Sequence, residues 1–234
     1  MQRRNFLAGC GLAIGAAGIG AMRDTLASVT PRAYSRALLV DVHGEPIKAS
    51  RLIANTNYVF QYPFAATPCF LLNLGHAATG VAAMRRADGE TYRWDGGAGA
   101  SRSIVAFSAI CAHKLAYPTR EVSFIRFQRD RSATSDGNVI HCCADHSVYD
   151  PAAGARVMSG PAPQPLAAIL LEYDAQRDQL SALGTIGAEQ FDAFFRKYDF
   201  RLALDYGPGK AKLPVGAATM VREMTEYCRQ TIQC

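Results

Sequence analysis

The chain has 234 residues, 49% of them hydrophobic, with a formal net charge of +5, enough for one sizeable core plus extensions. The basic charge is spread out: its arginine pairs are Arg3-Arg4 and Arg85-Arg86, and there is no long basic run. That excludes a nucleic-acid-binding surface as the main reading.

In chain order, Met1 to Met22 reads as a targeting segment. Arg3-Arg4-Asn5-Phe6-Leu7 resembles a twin-arginine export signal, and a Gly- and Ala-rich stretch without charges follows as far as Met22. Residues 1–27 are expected to act as a signal cleaved after Ala27 or as a retained membrane anchor. Such a route exports folded proteins to the periplasmic side of a bacterial inner membrane.

Residues 32–187 carry the signals of short strands. Strands are predicted over Arg36–Val42, Asn57–Tyr62 and Cys69–Leu74, and over Gly80–Met84 and Thr91–Trp94 around an Asp88-Gly89 turn. His43 and His76 read as turn residues. Gly96-Gly97-Ala98-Gly99 lacks a following strand–helix unit and is not a nucleotide loop. Ile104–Ile110 is a buried strand leading to Cys111, Glu121–Phe127 alternates as a strand, and Arg129–Gly137 is a polar exposed turn. Val139–Cys142, Ala167–Tyr173 and Gln179–Leu183 complete the set. From Ala188 the period changes: Phe191, Phe194, Phe195 and Tyr198 predict a helix ending near Asp199. Gly207-Pro208-Gly209 is a linker, and Met220–Gln233 is predicted as a second helix. Residues 188–234 are thus expected to form a helical extension.

The chemistry lies between residues 111 and 146. Cys111-Ala112-His113 and Cys143-Ala144-Asp145-His146 each set one Cys beside one His. Two thiolates and two imidazoles suit either zinc or a two-iron cluster in which His replaces Cys on one iron. Zinc pairs more often draw each half from one residue type. The mixed order resembles that of the Rieske iron–sulfur proteins. Two further stretches support it: Ser159-Gly160-Pro161-Ala162-Pro163, like the Gly-Pro-Ala-Pro loop that covers the cluster in quinol-oxidising members, and Val148-Tyr149-Asp150-Pro151 with Gly154, like the family's Tyr-Asp turn. The resemblance covers residues 104–172 well and the rest poorly.

The resemblance implies a mainly β fold, an antiparallel Rieske-type β-sandwich with a cluster-binding subdomain, flanked by the N-terminal leader and C-terminal helices. It implies one 2Fe-2S cluster per chain. Cys111 and Cys143 would hold the inner iron, and His113 and His146 the outer one. Ser147 and Tyr149 would be donors near the ligand sulfurs, with Gly160 and Pro161 in the covering loop. Lys114 and Leu115 would face a partner. Two Cys that staple the loops in many relatives correspond here to Ala116 and Asp145, so that disulfide is expected to be absent. The 29 residues between His113 and Cys143 would include a hairpin insertion, a second place for a partner.

The function so implied is single-electron transfer from a quinol or redox enzyme to a cytochrome-type acceptor, as a subunit of a respiratory oxidoreductase complex rather than as a stand-alone enzyme. The membrane would be reached through the N-terminal segment. An oxygenase needs a second iron held by two His and a carboxylate, and no His follows His146. A structural zinc module without redox role is the alternative. Of the remaining cysteines, Cys69 reads as a buried thiol, Cys142 as pointing away from the centre, and Cys228 and Cys234 as a possible pair unless a continuous helix separates them.

Overall fold

The computed structural model describes residues 29–234. The twin-arginine segment and the Ala27 cleavage point lie outside the described residues. Among the described residues, no helix is long and apolar enough to cross a membrane.

The fold is mainly β. The strands, in order, are β1 (Arg32–Val40), β2 (Tyr58–Gln61), β3 (Pro68–Asn73), β4 (Thr79–Arg85), β5 (Thr91–Gly96), β6 (Ile104–Ser108), β7 (Val122–Ser123), β8 (Ile125–Gln128), β9 (Val139–Cys142), β10 (Ser147–Asp150), β11 (Arg156–Ser159), β12 (Ala168–Asp174) and β13 (Gln179–Ile186). Helix α1 (Phe191–Tyr206) follows, then β14 (Ala218–Met220), β15 (Arg222–Glu223), the one-turn α2 (Met224–Tyr227) and β16 (Gln230–Thr231).

Eight strands form one sheet in the order β14-β1-β13-β12-β6-β3-β2-β15, and four form a second in the order β11-β10-β9-β8. The first is antiparallel apart from the β1–β14 pair. Strands β6 and β3 lie side by side in its interior. Every residue of β6 and all but Asn73 of β3 are buried, because both faces of the sheet are covered. One face, with Phe70, Leu72, Val105 and Phe107, packs on Ile125, Phe127, Ile140 and Tyr149 of the second sheet and on Met84, Tyr92 and Trp94 of the β4–β5 hairpin. The opposite face holds Leu39, Phe60, Leu71, Ala106 and Leu180. In β5, buried Tyr92 and Trp94 alternate with exposed Arg93 and Asp95, as a half-buried strand requires.

Strands β10 and β11 are not among the predicted strands, and three further elements differ from the sequence expectation. The predicted strand Glu121–Phe127 is broken at Phe124, since Ser123 Oγ donates to Ile125 O and withdraws it from a continuous ladder. The two halves then choose different partners: β7 pairs parallel with β16, and β8 antiparallel with β9. The predicted helix over Met220–Gln233 reduces to the single turn α2, because the flanking segments add β14 and β15 to the two outer positions of the large sheet. Helix α1 kinks at Tyr198 (φ −109°, ψ 16°), next to the expected end near Asp199, and a second helical stretch then continues to Tyr206 and stops at Gly207. Its Phe191, Phe194 and Phe195 pack with Ala66 and Ile110 in a third cluster.

Candidate metal centre

Strand β6 ends at Ser108 and hands the chain to Cys111, whose amide donates to Ala116 O, while Leu115 N donates back to Cys111 O. This closes a tight loop carrying His113 at its tip. The second loop leaves β9 at Cys142 and re-enters β10 at Ser147, two residues that face one another in the hairpin. Within it His146 N donates to Cys142 O at 2.7 Å, and His146 takes the left-handed conformation, φ 58°. Ser147 N donates to Asp145 Oδ1 at 3.0 Å. These bonds aim Asp145 inward and turn His146 outward.

The loops meet at a buried pair of thiols, and the pair is Cys111 with Cys142. The ligating atoms of Cys111, Cys142 and Asp145 all lie within 4.8 Å of one another. Asp145 Oδ2 accepts from Cys111 Sγ at 3.2 Å and stands 3.1 Å from His113 Nδ1. The Asp145 side chain is 2% exposed and that of His113 37%, so donors run from two buried sulfurs, through a buried carboxylate, to an imidazole at the surface. Tyr149 Oη accepts from Ala112 N at 3.2 Å, which leaves its own proton directed to Cys111 Sγ at 3.4 Å.

This placement corrects two expectations. Cys143 is not beside Cys111: it is bonded to Cys234, 91 residues along. His146 does not face the thiols either. Its ring lies 5.8 Å from that of His141, and Asp145 occupies the position it was expected to take. The cause is a shift of one residue. Cys142 and Cys143 are adjacent, and in a hairpin consecutive side chains point to opposite faces. With Cys142 inward, the third residue on is Asp145. The disulfide of Cys143 also removes Cys234 from a pairing with Cys228, which is a buried free thiol donating to Thr119 O.

The electrostatics set the two thiols apart. The hydrogen bond from the Cys142 thiol lowers the Cys111 pKa against the opposing effect of burial, with Tyr149 and the amides of His113 and Lys114 adding to it. Cys142 is pushed up, first by that same hydrogen bond and then by burial. Burial alone would raise the Asp145 carboxyl, but the Ser147 amide and the two thiols outweigh it and hold the carboxyl below its usual range.

The other predicted residues surround this centre. Ser147 is buried, and its Oγ has no hydrogen-bond partner. Gly160, φ 89°, lies so close to the second loop that a Cβ would meet His146 O and, at 2.6 Å, Ser147 Cα; Pro161 follows it, exposed. Lys114 is exposed and its carbonyl accepts from Lys197 Nζ. Leu115 is instead half-buried and packs on the α1 cluster. Asp145 and Cys142 are the site residues that motif reading missed. The signal available was the Tyr149-Asp150 turn, counted backward.

No family model matches the chain. The crystal structure of the soluble domain of Rieske protein II from Sulfolobus acidocaldarius aligns over 65% of this chain and 78% of its own, at 26% identity and a TM-score of 0.45.

A two-iron cluster needs two thiolates on one iron, two further donors on the other and hydrogen bonds to its sulfurs. Two thiols side by side on separate loops, a hydroxyl directed at one sulfur and a glycine cradle at Gly160 fit such a group. The carboxylate in place of a second imidazole is a departure in charge and in placement: at 3.2 Å from Cys111 Sγ it would have to turn away from the thiols to reach an outer iron.

Proposed function

We propose that this chain is an electron-transfer protein of Rieske type, with a 2Fe-2S cluster held by Cys111 and Cys142 on the inner side and by His113 and Asp145 on the outer side. The observation that carries it is the meeting of two buried thiols under the Tyr149 hydroxyl. When bound, the cluster stores one electron. The chain's own residues set how readily. Asp145 brings one negative charge where a second neutral imidazole would bring none. Net charge is one of the levers on potential, so the value should fall below that of an equivalent two-imidazole site, whose usual range is about −150 to +300 mV. Tyr149 acts in the opposite direction by donating toward sulfur. Burial of both thiols and the Gly160-Pro161 loop exclude water, while exposed His113 provides the short route for an electron to the surface.

The partner in this reading is a redox protein, a cytochrome or oxidoreductase subunit, with a quinol as the alternative donor. Exposed Lys114, next to His113, suits docking onto an acidic surface. Export by the twin-arginine route would place the protein on the periplasmic side of the inner membrane, with residues 1–27 as signal or anchor.

The full chain, expressed with iron and sulfide supplied, tests this. Two irons and two sulfides per chain, visible absorption and a paramagnetic resonance signal on reduction are expected. A second reading, a structural zinc module, is favoured by the 4.8 Å span of the Cys111, Cys142 and Asp145 donors, which a single tetrahedral ion can bridge. A colourless protein with one zinc and no iron would replace the first reading by the second.

A further inference from the structure

A second gathering of ligating side chains lies outside the thiol pair, on the other face of the same hairpin. His141 Nε2 is 3.5 Å from Cys234 Sγ. The donor atoms of His141, His146 and Cys234 all lie within 4.8 Å of one another, and Cys143 is bonded to Cys234. His141 is fully buried. Its Nδ1 is 3.1 Å from Ser135 Oγ, which in turn accepts from Gln128 Nε2 at 3.2 Å. That contact fixes the ring and leaves Nε2 facing the sulfur, as a metal-bound imidazole is held through its other nitrogen.

As a disulfide the two sulfurs are poor ligands, since the thiolate is the ligating form. Reduction would not disperse them. The C-terminal segment is tied down independently of the bond: Gln230 N donates to Glu121 O at 3.1 Å, Ile232 N to Ser123 O at 2.9 Å, and Arg126 Nε to Ile232 O at 3.2 Å. Cys143 is held on its side by the bond from its amide to Phe124 O.

We propose that reduction of the Cys143–Cys234 disulfide converts this corner into a zinc-class site with Cys143, Cys234, His141 and His146 as ligands. The step balances with a dithiol or phosphine as reductant: the disulfide takes two electrons and two protons to give two thiols, while the dithiol gives up both and becomes a disulfide, or the phosphine becomes its oxide with water supplying the oxygen and the two protons. Binding a divalent cation then releases the two thiol protons. Two thiolates with two imidazoles are a common tetrahedral zinc set. Oxidised, the corner is a covalent clasp; reduced, it is a metal clasp on the same two segments. The proposal does not depend on what the Cys111–Cys142 pair binds.

Zinc titration of the full chain, with and without prior reduction by a phosphine, tests it. One additional zinc per chain is expected after reduction. Cobalt(II) in its place should give the absorption of a tetrahedral thiolate site. His146→Asn removes one imidazole and keeps a residue tolerant of the left-handed backbone. Cys234→Ser removes one thiol at a partly exposed position. The additional equivalent should vanish in both variants, each checked for the parent's circular dichroism. The same zinc count before and after reduction would overturn the proposal. An additional equivalent that persists undiminished in either variant would also do so.

Discussion

Cys142 and Cys143 are neighbours with opposite fates, and serine at each position separates them. Cys143→Ser removes a cross-link between residues 91 apart. Loop-closure entropy puts the loss for a ring of that size at about 4.6 kcal/mol at 25 °C, while disulfides typically contribute about 2–4 kcal/mol. At a loss of about 3 kcal/mol, a chain of this length should melt roughly 6–12 °C lower. Its metal content at the Cys111 centre should not change, because Cys143 does not reach it. Cys142→Ser should do the reverse. It exchanges a buried thiol for a smaller group in the same place, at a stability cost of about 1 kcal/mol, but it removes a ligand. Scanning calorimetry and elemental analysis on both variants read the two halves together. If Cys143→Ser empties the Cys111 centre while Cys142→Ser keeps it full, the register derived from the structure is wrong.

Gly160→Ala combines a left-handed backbone with a Cβ pressed against His146 and Ser147. It should cost about 2–4 kcal/mol, visible in denaturant unfolding; a midpoint equal to the parent's would mean that the covering loop does not bear on the ligand loop. Tyr149→Phe deletes the hydroxyl shared by Ala112 N and Cys111 Sγ. For the iron-loaded protein the potential should fall by roughly 20–60 mV, the equivalent of one hydrogen bond, and voltammetry showing no change would remove Tyr149 from the electronic role. In acid, Asp174 and Asp178 matter: the Arg177 amide and the Ser50 hydroxyl, respectively, hold their carboxyls below the ordinary value. A depressed folded-state pKa contributes stability above the unfolded value of about 3.9 and loses it as pH falls through the folded value. Melting temperature should therefore drop between pH 5 and pH 2, with a smaller drop in Asp178→Asn.

Much of the strand pattern was legible because it is local. Alternation in Thr91–Gly96 and the unbroken apolar run of Ile104–Ser108 each state their own burial, and the Phe191, Phe194, Phe195 spacing states a helical face. What was not legible depended on distant partners. The spacing of Val221, Met224 and Cys228 suits a helix, yet the backbone there is drawn to the outer positions of the large sheet, against partner strands β1 and β2 some 160–180 residues earlier. Local period cannot report a hydrogen-bonding vacancy elsewhere in the chain. The break at Phe124 has the same origin, since β7 takes as its partner β16, near the C-terminus.

The site shows a sharper form of this limit. Both Cys142 and Cys143 satisfy the demand for a thiol at the end of β9, and each brings a different residue three positions later: Asp145 or His146. Matching the pattern of Cys and His favours Cys143, since it yields a familiar ligand set. Three features of the folded chain favour Cys142 together. Tyr149 reaches Cys111 only with the hairpin in the observed register, Cys142 opposite Ser147. Gly160 packs against His146 and Ser147 in that register. Cys143 has a partner of its own in Cys234. A ligand motif identifies which side chains are available; the pairing of the strand that carries them decides which one faces the metal, and here that decision replaces a neutral imidazole by a carboxylate and so changes the charge on the centre.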